Sequence, residues 1–293
     1  MHIVAVIQEN HRVQQDLARA ARDLSLRLST VEWSELWATI STEHESIPSF
    51  AGADAALLWS MKSGSFEQIV FRMDLMQRLG AVNLPMVNPP RAIEIGVDKY
   101  LSLSLLRAAG LTIPQTVICQ KYSDAMSAFD ELGGDVVVKP LFGSQGFGIT
   151  RITDRVLAQR AFNQLVKMQS VIYVQRFVPH GGSDLRLFVL GDRVLTAMRR
   201  RGVDWRTNIA LGGRGEAFEP DPLLREMALR AARACEALVA GVDILIGDDG
   251  ENYVLEVNPI PGWKELAAVT GIDITRELLQ FVVEYACTGA CVP

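Results

Sequence analysis

Val242-Asp243-Ile244-Leu245-Ile246-Gly247-Asp248-Asp249-Gly250-Glu251-Asn252-Tyr253-Val254-Leu255-Glu256-Val257-Asn258 is the stretch on which the fold turns. Val242–Ile246 and Tyr253–Val257 are short apolar runs, and Gly247 to Asn252 between them are turn formers, which predicts a β-hairpin. Side chains alternate across a strand, so Glu256 and Asn258 share one face, and the turn folds the strand of Asp243 back against theirs. Three oxygen ligands can then meet on one sheet face, with Ile244, Leu255 and Val257 packing the other. Burying carboxylates in such apolar strands is costly unless they are paired or hold a cation. Hard oxygen donors beside phosphates suit magnesium, which keeps waters and phosphate oxygens in its shell. Taken alone, the pattern also fits a half-exposed hairpin with solvated polar residues.

A second feature upstream bears on that choice. Gly143-Ser144-Gln145-Gly146-Phe147-Gly148 lies between Val136–Leu141 and Ile149–Thr153, both strand-like. A Walker loop carries Gly-Lys-Ser/Thr and enters a helix, as does a dinucleotide loop. This loop instead caps a predicted hairpin. Its glycines let backbone N–H groups approach phosphate oxygens unobstructed, and Lys139 just before it can supply a point charge. A plain glycine-rich turn with a surface lysine is the competing reading. A protein kinase also lays a glycine loop over ATP, but the chain has no His-Arg-Asp catalytic loop and no Asp-Phe-Gly.

Between these features lies an arginine group. Asp184 and Arg186 stand at strand spacing, and Leu185–Leu190 is joined to Arg193–Met198 through Gly191-Asp192, a two-residue hairpin signal. Arg199-Arg200-Arg201 follow, then Arg206 and Asn208. The chain is acidic overall, 29 basic against 34 acidic residues, so the cluster asks for a reason. It is either a solvated basic turn or a pocket that grips phosphate and carboxylate bidentately. His180-Gly181-Gly182 reads as a flexible connection, and a lone histidine is no sign of catalysis.

The remainder is read more coarsely. Ile3–Ile7 is a buried strand, Val13 to Leu28 a helix, Ala55–Trp59 a short strand, and Glu67–Leu79 a helix; Pro85–Pro90 closes this part. Alternating β and α elements argue for an open parallel sheet. Helices are predicted from Asp98-Lys99-Tyr100 to Leu106, from a Ser123 cap to Leu132, from Pro222 to Leu238 and from Ile274 to Tyr285, with strands at Thr116–Cys119 and Val171–Val178. At 293 residues and 49% hydrophobic the chain can bury a sizeable core, which excludes a disordered or disulfide-stapled protein. A net charge of −5 argues against a nucleic-acid coat. Cys119, Cys235, Cys287 and Cys291 form no CxxC pair and read as reduced thiols. No apolar run is long enough for a membrane span, and the N-terminal run has no basic flank. The expectation is a cytoplasmic protein with no membrane or nucleic-acid partner.

In order and spacing these residues resemble the ATP-grasp superfamily, and within it the RimK-like ligases. The resemblance rests on Asn88-Pro89-Pro90-Arg91-Ala92-Ile93-Glu94, Asp98-Lys99-Tyr100, Val138-Lys139-Pro140, the Gly143–Gly148 loop and Gln175-Arg176-Phe177-Val178. It continues through Asp184-Leu185-Arg186, Arg206-Thr207-Asn208, Ala240-Gly241-Val242-Asp243, Glu256-Val257-Asn258-Pro259 and Thr270-Gly271-Ile272-Asp273-Ile274. It implies an α/β fold with α+β character in the C-terminal half: an N-terminal parallel-sheet unit (1–92), a central lid (93–178) and a C-terminal antiparallel unit (179–293). It implies ATP as co-substrate, with Lys99 and Lys139 on its phosphates and Gly143, Ser144 and Gly146 over them. By the same likeness Gln175, Arg176, Phe177 and Val178 would lie beside the adenine, and Asp184 by the ribose with Arg186 near it. Arg200, Arg206 and Asn208 would serve the transferring phosphate and the acceptor, and Asp243, Glu256 and Asn258 would hold magnesium or manganese. Arg176 departs from the acidic residue common there, and which of Arg199, Arg200 and Arg201 faces the site stays open.

The activity implied is ATP-dependent amide formation through an acyl phosphate. The first expectation is addition of L-glutamate to a small coenzyme-type carboxylate, of the tetrahydromethanopterin kind. The alternatives are a ligase acting on a protein tail or carrier protein, and an ATP-binding regulator without turnover. The oligomeric state is left open, a homo-oligomer included.

Overall fold

The apolar run His2–Ile7 forms β1, buried along nearly its whole length, and the N-terminal third is built on it. The computed structural model describes residues 1–8, 11–59, 64–143 and 146–288. After β1 come α1 (His11–Asp23) and β2 (Arg27–Glu32), the latter parallel to β1. The predicted helix was to run on to Leu28. It stops earlier because Ser25 turns left-handed (φ 55°) and Leu26 N–H donates to Ala21 O at 2.8 Å, a helix-ending pattern usually marked by glycine. A two-stranded hairpin of β3 (Thr39–Ile40) and β4 (Glu45–Ser46) follows. Next are β5 (Ala55–Leu58), α2 (Phe66–Ala81), capped by Ser65 and Gln68, and β6 (Met86–Val87). Strand order β2-β1-β5-β6, all parallel, is the expected open sheet.

Pro89-Pro90 does more than break the chain. Proline suits the first turn of a helix, where its missing N–H is not needed, and α3 (Pro90–Val97) starts there. Asp98 then caps α4 (Lys99–Ala108), accepting from Tyr100 N at 2.8 Å and Leu101 N at 3.1 Å. A second sheet comprises β7 (Thr116–Cys119), β8 (Val136–Lys139), β9 (Thr150–Ile152) and β10 (Ile172–Arg176), in order β7-β10-β8-β9 and antiparallel. α5 (Tyr122–Glu131) and α6 (Arg155–Lys167) cover one face, where Val136, Val138, Ile172 and Val174 pack on Phe129 and Phe162. Alternation leaves Lys139, Tyr173 and Gln175 on the other.

The third sheet is antiparallel: β11 (Ser183–Leu190), β12 (Arg193–Arg201), β13 (Arg214–Ala217), and, after α7 (Pro222–Ala234), β14 (Val239–Ile246) and β15 (Asn252–Asn258). Its order is β13-β12-β11-β14-β15. Leu185, Leu187, Val189, Val242 and Ile244 pack one face against α4 and α7. On the opposite face Phe188, Leu190, Met198 and Val239 share a core with Trp263, α8 (Lys264–Thr270), α9 (Ile274–Thr288) and residues Ile3, Ala5 and Leu57 of the first sheet. Among the described residues no helix is long and apolar enough to cross a membrane. The β14–β15 hairpin forms as expected, with one correction. The register shifts between Asp243 and Ile244, so Ile244 faces Val254, and Val254 rather than Leu255 is fully buried.

Asn88, just past β6, joins the first sheet to the third. It is 1% exposed; its amide donates to Val239 O at 2.7 Å and to Pro259 O, and its Oδ1 accepts from Val239 N at 2.8 Å. Asn88→Ala should strand these buried backbone groups and lower unfolding free energy by about 2–4 kcal/mol. Denaturant titration checks this; a loss below about 0.5 kcal/mol would mean that the joint is not structural.

Candidate functional site

Strand register creates the charged end of the third sheet. Asp184 of β11 pairs with Arg200 of β12, and Arg186 of β11 pairs with Asp243 of β14. All four side chains lie on the face shared with Phe188. Arg200 Nε donates to Asp184 Oδ1 at 2.8 Å, and its Nη2 lies 2.5 Å from Asp184 Oδ2 and 2.9 Å from Asp243 Oδ2. Arg186 grips Asp243 bidentately, through Nε and through Nη2 at 2.8 Å to Oδ2. Gly241 leaves room for that guanidinium, since a Cβ there would stand 2.9 Å from Arg186 Nη1. Burial works against the Asp243 charge, but Arg186 and Arg200 outweigh it and hold its carboxyl below the usual range. Burial likewise opposes the Arg200 charge, and Asp243 and Asp184 raise it above its ordinary value. Strand alternation separates the three consecutive arginines. Arg200 enters this network, whereas Arg199 and Arg201 lean on Glu216 at 3.6 and 3.0 Å.

On β15, Glu256 stands opposite Asp243, and Asn258 opposite Gly241. Asn258 Oδ1 accepts from Ile260 N at 2.9 Å and keeps a second lone pair. The Glu256 carboxylate is half-buried and makes no hydrogen bond or ion pair among the described residues. Facing it from the second sheet is Lys139, whose Nζ donates to Gln175 Oε1 at 2.7 Å. Gln175, 3% exposed, is fixed by donating to Thr116 Oγ1 at 2.9 Å and Tyr173 Oη at 3.1 Å. Desolvation pulls the Lys139 ammonium down to about 8; Glu256 and Asp243 act against that pull and Lys99 adds to it. Burial pushes the Tyr173 hydroxyl up, with Glu256 adding to the shift.

Lys99, the first residue of α4, donates to Gly143 O at 2.8 Å, tying the helix to the glycine loop. Gly146 has φ +79°, and a Cβ there would lie 2.4 Å from Asn208 Oδ1, so only glycine lets the loop rest on that segment. Lys99, Lys139, Gly143, Gly146, Gln175, Asp184, Arg186, Arg200, Asn208, Asp243 and Glu256, with Asn258 beside them, are thus gathered around the junction of the second and third sheets. Ser144 lies outside the described residues. Arg206 is spent locally, its Nη2 2.6 Å from Asp204 Oδ2. Arg176 is exposed, and its charge is felt by Asp249 in the β14–β15 turn and by Tyr253 of β15. Phe177 carries the Arg151 guanidinium 3.5 Å from its ring centre, and Val178 is buried. Sequence reasoning missed Thr116 and Tyr173, which orient Gln175; alternation about Gln175 was the available signal for Tyr173, while Thr116 comes from the β7–β10 pairing.

The donor set fits a hard divalent ion. Glu256 offers an unpaired carboxylate and Asn258 a remaining lone pair, while both Asp243 oxygens are engaged by arginine. The described residues contain no group of three His, Cys, Asp or Glu arranged for a metal. An ion here would therefore draw on an amide oxygen and on phosphate oxygens, as magnesium readily does.

Both the sequence and the fold have known relatives. A model of the RimK-like ATP-grasp domain matches residues 96–282. The chain is 35% identical over 228 residues to the tetrahydromethanopterin:alpha-L-glutamate ligase of Methanococcus maripaludis, covering 76% of this chain and 77% of that protein. It is 32% identical over 222 residues to the Methanocaldococcus jannaschii protein of the same name, covering 73% and 75%. To a probable alpha-L-glutamate ligase of Trichodesmium erythraeum it is 35% identical over 199 residues, covering 67% and 66%. Among solved structures, the ATP-grasp ligase PsnB complexed with minimal precursor superposes with a TM-score of 0.77 at 20% identity, covering 96% of this chain and 98% of that one. The D-cycloserine synthetase DcsG gives a TM-score of 0.75 at 19% identity, covering 98% and 100%. At such identities these two superpositions speak to the fold alone.

The lowered Lys139 value carries a pH prediction. Phosphate oxygens favour the charged ammonium, so a bound polyphosphate raises its pKa again. Above about pH 8 the free lysine is largely neutral, and MgADP binding should take up part of a proton. At about pH 6.5 the lysine is already charged and uptake should vanish. Calorimetry in buffers of different ionisation enthalpy measures this. Uptake that survives Lys139→Met would assign it to another group.

Proposed function

Because the chain belongs to the RimK-like ATP-grasp family, we propose that it joins the amine of L-glutamate to a carboxylate on a small coenzyme-type acceptor of the tetrahydromethanopterin class. Like its family it is an ATP-dependent carboxylate–amine ligase. The observation that carries the acceptor is that three relatives bearing that activity in their names, at 28–35% identity, align with 73–78% of this chain. Others named only as alpha-L-glutamate ligases agree on the amino acid and leave the acceptor unspecified.

The mechanism follows from the charges. Residues 1–92, 93–178 and 179–293 act as three units, with ATP between the second and third. Lys99 and Lys139 meet the phosphates, together with main-chain amides of the loop at Gly143, Ser144 and Gly146. Gln175, Arg176, Phe177 and Val178 flank the adenine, and Asp184 the ribose. Glu256 and Asn258, joined by the remaining lone pairs of the arginine-held Asp243 carboxylate, would hold a magnesium or manganese ion, which would neutralise phosphate charge. Asn208 and Arg206, the latter on parting from Asp204, line the path of the acceptor carboxylate, backed by the paired Arg186 and Arg200. A carboxylate oxygen attacks the γ-phosphorus, ADP leaves, and an acyl phosphate forms. The glutamate amine then attacks that carbonyl and phosphate departs. Two anions must meet in the first step, so a fixed positive cradle lowers the barrier without any nucleophilic side chain. The glycine loop, resting on Asn208, screens the acyl phosphate from water.

The test is a phosphate-release screen of candidate acids and amines, with mass spectrometry of the product. ADP should appear only when glutamate and an acceptor carboxylate are both present. A modified polypeptide as product would move the acceptor to a protein tail or carrier. Nucleotide binding without product from any pair would replace the ligase by a regulator.

Glu256→Gln should keep the fold and lower kcat by about a thousandfold or more, as expected when charge control of phosphoryl transfer is lost. Unchanged magnesium dependence in an active variant would clear Glu256 of metal binding.

A further inference from the structure

The segment after β12 doubles back over the hinge that joins β10 to β11. Gly202 N–H donates to Gly182 O at 3.0 Å, and the turn is so tight that a Cβ on Gly202 would fall 2.0 Å from Arg206 O. Trp205 stands edge-on to Phe177 with centroids 5.9 Å apart, and the His180 ring lies 5.5 Å from the same phenyl. His180 Nδ1 is 2.7 Å from Val178 O, and its Nε2 is 2.9 Å from Trp205 O.

Carbonyl oxygens only accept, so the ring satisfies both contacts only with both nitrogens protonated. The imidazole then bridges the hinge backbone to the residue immediately before Arg206. Its charged surroundings are mixed. Asp184, Asp248, Arg199 and Arg201 line the cavity of about 250 Å³ that it shares. The Asp204–Arg206 pair closes the turn, and Arg151 covers Phe177.

We propose that His180 is a positioning residue that staples the loop bearing Arg206 and Asn208 to the hinge, so that nucleotide binding and ordering of the acceptor loop rise together. The coupling rests on the functional reading above, which puts adenine at the hinge and the acceptor at the loop. The staple itself does not. Trp205 presents its backbone carbonyl, so the contact reports loop position and not the identity of that side chain.

The first measurement is trypsin cleavage after Arg206 in the nucleotide-free full-length protein, its His180→Asn variant and its His180→Gln variant. The asparagine amide reaches the Nδ1 position and keeps only the bond to Val178. The glutamine amide reaches the Nε2 position and keeps the bond to Trp205. Loss of one hydrogen bond should speed cleavage about tenfold in the asparagine variant, with the glutamine variant within about threefold of the unmodified protein. Equal rates in all three overturn the staple, as does acceleration by glutamine to the asparagine rate. The second measurement needs no variant and decides the matter if either fails to fold. MgADP should slow hydrogen exchange at 202–206 together with 177–180; slowing confined to the hinge overturns the coupling. Failure of MgADP to bind would count against the ligase reading, while the cleavage rates would still test the staple.

Discussion

Four charges at the buried end of the third sheet, Asp184, Arg200, Asp243 and Arg186, constrain the rest of the site. The Arg200 and Asp184 side chains are 5% and 3% exposed, so neither charge is tolerable without its partner. Register alone puts them together, because β11 lies between β12 and β14 and offers an acid to one strand and a base to the other. Removing any one leaves a buried charge uncompensated. The sheet is therefore held in a single alignment, and Glu256 and Asn258 inherit their positions from it.

The opposite wall is less fully paired. Lys139 faces the carboxylates from the second sheet, yet its own hydrogen bond goes to a neutral amide, Gln175, at 2.7 Å. An ammonium held that way is desolvated without a full counter-charge. Such a group gains by meeting an anion, and a triphosphate supplies one. One wall is internally neutralised and the other is left wanting charge, which suits a cleft that takes up an anion.

Legibility in the sequence followed periodicity. The β14–β15 hairpin, the glycine loop between β8 and β9, and the helix start at Asp98 were readable because alternation and turn residues are local, whereas Ser123, read as a cap, lies inside α5. Choosing Arg200 among three arginines was a matter of strand phase and became plain once Asp184 had a partner. Local signals failed where geometry is set by other parts of the chain. Ser25 ends α1 without a glycine, and the shift at Asp243 exchanges Val254 for Leu255 in the core. The two carboxylates and the amide were read as three oxygen ligands on one face. The engagement of Asp243 by two arginines depends on register between strands far apart in sequence, which no local pattern encodes. Arg206 was read as a phosphate and acceptor residue, and its pairing with Asp204 at 2.6 Å was not foreseen.

The core shared by the two outer sheets has an evolutionary corollary. Phe188, Met198 and Val239 belong to one cluster with Ile3, Ala5 and Leu57. A lineage that exchanged its first ninety or so residues to suit a new acceptor would have to recut this seam as well, since a foreign strand with different bulk would leave voids beside Trp263. Diversification of such a leading segment is thus expected to proceed through its loops while the strands that touch the seam stay fixed, which makes those positions natural landmarks for tracing descent.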